Sequence, residues 1–315
     1  MSDRMIEIVC MGEVLIDFVA LENGVTVGDA SGFQKAPGGA PANVAVAVER
    51  LAHQAAFISQ VGDDPFGHFL AEVLEAEGVD ITGLRFTDKA RTMLAFVSLA
   101  AAGERSFSFY RNPSADMLLT PDDVALEVID AAKIFHFGSI TMISEPSKSA
   151  TLKAAQYAKD KGLIVSYDPN LRLNLWESEE AARAGMISGL DYATMVKLSD
   201  EELDFMVGGD LNKVWREGMK LIVITHGGEG SVAYTRDGGV FKHGGYSVSP
   251  VDTTGAGDGF VAGMLVGILE NPDDYLSKLE KLLCFANAVG ALTTTNRGAI
   301  PALPTRSQVD AFAKC

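Results

Sequence analysis

Short continuous apolar runs alternate along the chain with longer segments whose apolar positions recur at helical spacing. IEIVCMG (6–12) and AAFISQVG (55–62) have the unbroken hydrophobicity of strands buried on both faces. Val44, Val48 and Leu51 share one face of a predicted helix over 41–53. Phe66, Leu70, Val73 and Leu74 do the same for a helix over 65–77. From residue 133 the rhythm continues through KIFHFGS, GLIVSYD, ATMVKLS and KLIVITHG, with helices predicted over 145–161, 179–190 and 201–217. SVAYT (231–235) and GGVFKHGGYSV then read as antiparallel strands, and Gly/Ala-rich helices over 257–270 and 275–295 close the chain. Alternating strands and helices predict an α/β fold with a mostly parallel sheet covered on both faces.

Two stretches break the rhythm. Residues 13–37 are Gly-rich and strand-like, while TMLAFVSLA (92–100) and ERSFSFYR (104–111) flank an Ala-Ala-Gly turn and read as a hairpin. They predict a small β-sheet projecting from the main layers as a lid over a site. Residues 1–315 then form a single domain with lid strands interleaved from about 13–37 and 90–112. No internal repeat, low-complexity segment or linker interrupts it.

Charge narrows the function classes. Asp and Glu outnumber Lys and Arg, 42 to 26, for a formal net charge of −16. Such a field excludes a basic footprint for nucleic acid or an anionic membrane. It also opposes a small anion such as ATP, so a nucleotide site must rely on oriented N–H groups, a few placed cations and metal ions. The longest uncharged apolar stretch, 259–269, falls short of the ~20 residues of a membrane span. The N-terminal segment carries acidic residues where a signal peptide needs apolar ones. Cys10, Cys284 and Cys315 are far apart and suggest no disulfide framework, in keeping with a reducing cytoplasm. The five His show no metal-ligand spacing.

Two motifs carry chemistry. VDTTGAGDGF (251–260) is a Gly-rich turn feeding an apolar helix. It sets the N–H groups of Gly255, Ala256, Gly257 and Asp258 at a helix N-terminus, where unpaired donors and the dipole favour an anion. A carboxylate inside such a hole makes sense if Asp258 removes a proton from an attacking hydroxyl while the hole steadies a transferring phosphoryl group. An Asp cap on a buried helix behind a glycine turn is the plain structural alternative. In APGGAPANVA (36–45), Gly38 and Gly39 let a turn approach a small ligand, and Asn43 offers its amide to a hydroxyl-rich one. Neither GxxxxGK[ST] nor a well-placed GxGxxG occurs, which disfavours a P-loop or a Rossmann oxidoreductase.

Together these motifs resemble the paired signatures of the PfkB (ribokinase-like) sugar kinases, and the resemblance spans essentially the whole chain. GEVLIDFV, FYRNPSADMLL, YDPNLRLNLW, KLSDEE and GAIPALPT are similar to its fructokinase branch. The resemblance implies a three-layer α/β/α ribokinase-like fold with a β-sheet lid, and transfer of the ATP γ-phosphoryl group to D-fructose with Mg²⁺. It implies Asp258 as catalytic base, Gly255, Ala256 and Gly257 as anion hole, and Arg172 at the junction of phosphate and sugar. Asp17, Gly38, Gly39 and Asn43 correspond to the sugar pocket, with Arg111 reaching in from the lid or remaining a surface arginine. Thr225, Gly227, Asn287 and Gly290 correspond to the ATP pocket. Glu202 corresponds to a Mg²⁺ water-shell residue, although Ser199 stands where many relatives have Asn and a helix cap competes. Asp252 and Thr254, with the 296–298 backbone, match part of a K⁺ loop. The partners implied are a sugar and ATP, and a dimer through the lid is one arrangement the family allows. 2-Keto-3-deoxygluconate kinase and ribokinase are the alternatives within the class, and a catalytically silent sugar-binding regulator the alternative outside it.

Overall fold

A computed structural model describes residues 5–99 and 105–315. The elements run β1 (Ile8–Met11), β2 (Leu15–Asn23), β3 (Phe33–Gly38), α1 (Ala40–Arg50), β4 (Ala55–Gly62), α2 (Pro65–Ala76), β5 (Leu84–Thr87), β6 (Leu94–Leu99) and β7 (Arg105–Tyr110). They continue with α3 (Leu126–Asp130), β8 (Ile134–Gly138), α4 (Ser147–Asp160), β9 (Ile164–Asp168), α5 (Glu179–Gly189), β10 (Met195–Ser199) and α6 (Asp200–Val207). The last are β11 (Leu221–Thr225), β12 (Ser231–Thr235), β13 (Val240–His243), α7 (Ala256–Glu270), α8 (Leu279–Thr293) and α9 (Arg306–Phe312).

The main sheet has the order β13-β12-β11-β10-β9-β8-β1-β4-β5. It is parallel from β5 to β11, and β12 and β13 add an antiparallel edge. Alternation within each strand divides the core in two. Ile8 and Cys10 of β1 face a cluster built with α1, α2, α7, α8 and α9, and Val9 and Met11 face one built with α3, α4, α5 and α6. The three-layer α/β/α expectation holds. From β1 the chain passes to β4 on one side and later to β8 on the other, which opens a crevice at the carboxyl ends of the strands.

A separate four-stranded sheet, β3-β2-β6-β7, is supplied by the two stretches that broke the sequence rhythm. Phe18, Phe96, Phe33 and Tyr110 pack ring against ring across it. The Ala-Ala-Gly turn predicted in its hairpin lies outside the described residues.

Three expectations change. The helix predicted over 201–217 ends at Val207, because Gly208 takes a left-handed φ of 65° and its N–H turns back to the Asp204 carbonyl (2.8 Å). The helix predicted from 275 begins at Leu279, after a short 3₁₀ turn at Tyr275–Ser277. Cys284 and Cys315 form a disulfide between α8 and the segment after α9, a pairing their sequence separation of 31 concealed. Among the described residues no helix is long and apolar enough to cross a membrane.

Candidate active site

Helix α7 starts behind Gly255, whose φ of 80° is open to glycine and strained for other residues. Ala256 N–H turns back to the Thr253 carbonyl (3.3 Å), and the regular helical ladder begins with Gly259 N–H on the Gly255 carbonyl (2.8 Å). Gly257 and Asp258 lie between these in the first turn of α7, at the positive end of the helix dipole.

Asp258 lies in the first turn of α7 and is 9% exposed. Asn43, from α1, donates its Nδ2–H to Asp258 Oδ2 at 2.7 Å. The other side of that amide is unsatisfied: Asn43 Oδ1 is buried with no protein partner. A buried orphan acceptor beside a carboxylate suits a ligand that donates a hydroxyl proton. Burial raises the Asp258 carboxyl above the usual aspartate range, opposed by the Asn43 hydrogen bond and the positive charges of Arg172 and Lys197. Arg172 itself is half-buried after the Pro169-Asn170 turn, with Nη1–H on the Leu171 carbonyl (2.9 Å).

The sugar-pocket residues adjoin this pair. Asp17 on β2 lies against Gly38, where any side chain would collide with its carboxylate. Gly39, with φ 112°, lets the entry to α1 pass directly over the Glu13 backbone. Glu13 Oε1 accepts the Ala40 N–H (3.0 Å) and so caps a helix that has no capping side chain of its own. Burial pushes the Glu13 carboxyl up to about 7.

Arg111 is not the surface arginine that one sequence reading allowed. Its side chain is 3% exposed and pairs with Asp116 (2.8 Å), while Nη2–H also donates to the Ile140 carbonyl (3.0 Å). It is a buried brace between the end of β7 and the main layers.

On the other side of α7 a cavity of about 570 Å³ brings together Thr225, Gly227, Ala256, Gly257, Asn287 and Gly290. Asn287 Nδ2–H donates to Ser231 Oγ and the Leu283 carbonyl, both at 2.7 Å. Tyr246, Ser247, Val248 and Pro250 also line it, in a segment that sequence patterning could read only as part of an edge strand. Beside it, Asp252 Oδ1 accepts from Thr254 N (2.9 Å) and Oγ1 (2.7 Å), and Oδ2 from Gly298 N (2.9 Å). The two halves of the expected cation loop are thus tied together.

Glu202 is buried and its oxygens are held by backbone donors: Ser199 N and Leu171 N, each at 2.8 Å. Ser199 Oγ accepts Glu202 N–H in return (3.1 Å), which completes a capping box on α6. The cap reading of Ser199 is the one this geometry expresses. Among the described residues no cluster of three or more acids, His or Cys could cage a metal. Two buried groups at the strand ends, Asp168 and Lys197, were missed from sequence; a lysine inside the apolar run ATMVKLS was the available signal.

A family model described as pfkB family carbohydrate kinase matches residues 5–306. The chain is 50% identical over 317 residues to the probable fructokinase-4 of Arabidopsis thaliana, covering 98% of this chain and 96% of that protein. The fructokinase of Xylella fastidiosa, solved with bound ATP, superposes with a TM-score of 0.89 at 36% identity over 97% of each chain. A double mutant of the Vibrio cholerae O395 fructokinase, solved with fructose, ADP and a potassium ion, gives 0.87 at 35% identity over 100% of each chain.

Proposed function

The chain belongs to the pfkB family of carbohydrate kinases, and we propose that Asp258 and the open end of α7 carry its reaction, the transfer of the ATP γ-phosphoryl group to D-fructose. The observation that carries this reading is the 2.7 Å bond from Asn43 to Asp258 at the mouth of the anion hole. Fructose binds between Asp17, Gly38, Gly39 and Asn43, its hydroxyls meeting acceptors on Asp17 and the orphan Asn43 Oδ1. The Asp258 oxygen not held by Asn43 takes the proton of the attacking primary hydroxyl. A carboxyl raised by burial is a stronger base than an exposed aspartate, which suits proton removal at neutral pH. As the oxygen–phosphorus bond forms and the bond to the β-phosphate oxygen breaks, the Gly257 and Asp258 N–H groups and Arg172 steady the charge on the transferring group. Adenine and ribose occupy the cavity between Thr225, Gly227, Asn287 and Gly290.

Mg²⁺ would supply positive charge to neutralise the phosphates, and Glu202 would accept from its water shell. Asp252, Thr254 and the backbone near Gly298 supply the oxygens that suit K⁺. The small sheet closes over the sugar as a lid and limits ATP hydrolysis by water.

ADP release measured across fructose, 2-keto-3-deoxygluconate, ribose, adenosine and glucose tests the substrate. Fructose is expected to have the highest kcat/KM; a higher value for any other compound overturns it.

A further inference from the structure

Lys197 stands in β10 at a position where the apolar pattern calls for a core residue, and it is 7% exposed. It shares a strand face with Met195, which packs in the α1, α7 and α8 cluster, so its chain runs towards the start of α7. Its Nζ lies 3.3 and 3.2 Å from the two Asp168 oxygens, long for a charge-assisted bond. On its other side a methyl on Gly257 would sit 3.5 Å from Nζ. Because Cα–Cβ bonds in a helix tilt towards the N-terminus, this places the ammonium beside the mouth of the anion hole.

We propose that Lys197 is a catalytic residue whose ammonium contacts the phosphoryl group in flight, adding a fixed positive charge to the Gly257 and Asp258 N–H groups. The assignment rests on the reading that the open end of α7 receives the γ-phosphoryl group. Lys197 keeps its protons throughout; the sugar proton goes to Asp258, and the electron pair of the broken bond stays on the β-phosphate oxygen. Burial alone would lower the Lys197 ammonium, but Asp168, Glu202 and Asp258 outweigh it and hold the group protonated. A neighbouring imidazole does not compete for charge: burial, with Lys197 as a lesser cause, drives His136 down to about 3. If the lysine served only to neutralise Asp168, its loss would affect ground state and transition state alike.

The test compares wild type, Lys197→Met and Lys197→Arg by steady-state kinetics and by calorimetry with fructose plus ADP, with and without aluminium fluoride as a mimic of the transferring group. For Lys197→Met the expected fall in kcat is at least ~10²-fold, as for loss of one preorganised donor to developing charge. Binding of the aluminium fluoride complex should weaken by a similar factor, while KM for fructose and the affinity for ADP stay within about threefold. Arg should retain part of the lost rate. Near-wild-type kcat, or equal weakening of ADP and of the mimic, overturns the proposal. Removing one partner of a buried ion pair can unfold a protein, so Asp168→Asn and Asp168→Asn/Lys197→Met are measured alongside. The double variant should be slower than the single by ~10²-fold, and equality also overturns the proposal. A wild type that phosphorylates none of the sugars defeats the site reading and the lysine with it; an active wild type with an indifferent Lys197→Met defeats the lysine alone.

Discussion

In the proposed mechanism Asp258 sits where an anion binds and must itself be an anion to act as a base. The structure reconciles these demands by dividing its surroundings: Asn43 donates to one oxygen, Arg172 and Lys197 lend positive charge, and burial raises the carboxyl against them. Asp258→Asn keeps the size and removes the base, so kcat is expected to fall by roughly 10²–10⁴ with the melting temperature little changed. Steady-state kinetics beside a thermal melt checks both. Asn43→Ala removes a bond that favours the charged form of Asp258, so its pKa should rise further. Since the protonated form is inactive, the acid limb of the kcat/KM profile should move to higher pH. A profile that stays put or moves to lower pH would show that Asp258 is not the titrating base.

Helix α7 links the two halves of the site because it packs without spacers against α8. A Cβ on Gly263 would meet Ala286 Cα at 2.7 Å and Val289 Cγ2 at 3.2 Å, so the close approach requires glycine. Gly263→Val is expected to cost about 1–3 kcal/mol by overpacking. Denaturant melts measure that loss, and the tilt of α7 should also weaken ADP binding, readable by calorimetry. The elements themselves were largely legible in the sequence: the buried strands announced themselves by unbroken apolar runs, and β4 matches its predicted bounds of 55–62. The end of α6 was not, because Gly208-Gly209 can sit in a helix pattern or stop it, and only the left-handed turn decides.

Taken as a whole, the molecule carries 16 excess negative charges and yet holds a mononucleotide. On the proposed reading its attraction for phosphate is local, from helix N–H groups, buried cations and metal ions, against a long-range field that repels. Raising ionic strength from ~10 to ~150 mM with choline chloride, at constant K⁺ and Mg²⁺, shortens the screening length from ~30 Å to ~8 Å. KM for MgATP should fall, while KM for uncharged fructose serves as the fixed control. Replacing K⁺ by Na⁺ should lower kcat or raise KM for ATP, because the loop tied by Asp252 and Gly298 borders the anion hole. Equal rates in the two salts would remove K⁺ from the mechanism.

What the sequence by itself determined is what local pattern and composition can hold: alternating buried strands and helices, two strand-rich insertions, a glycine turn with a carboxylate at a helix start, and a strongly acidic net charge. Only the tertiary structure decided which groups meet. It joined Asn43 to Asp258 across 215 positions, buried Arg111 against Asp116, brought Lys197 between Asp168 and α7, and bonded Cys284 to Cys315. Charges and hydrogen bonds act through space over a few ångströms. Spacing along the chain carries no record of such distances once strands from distant segments lie side by side.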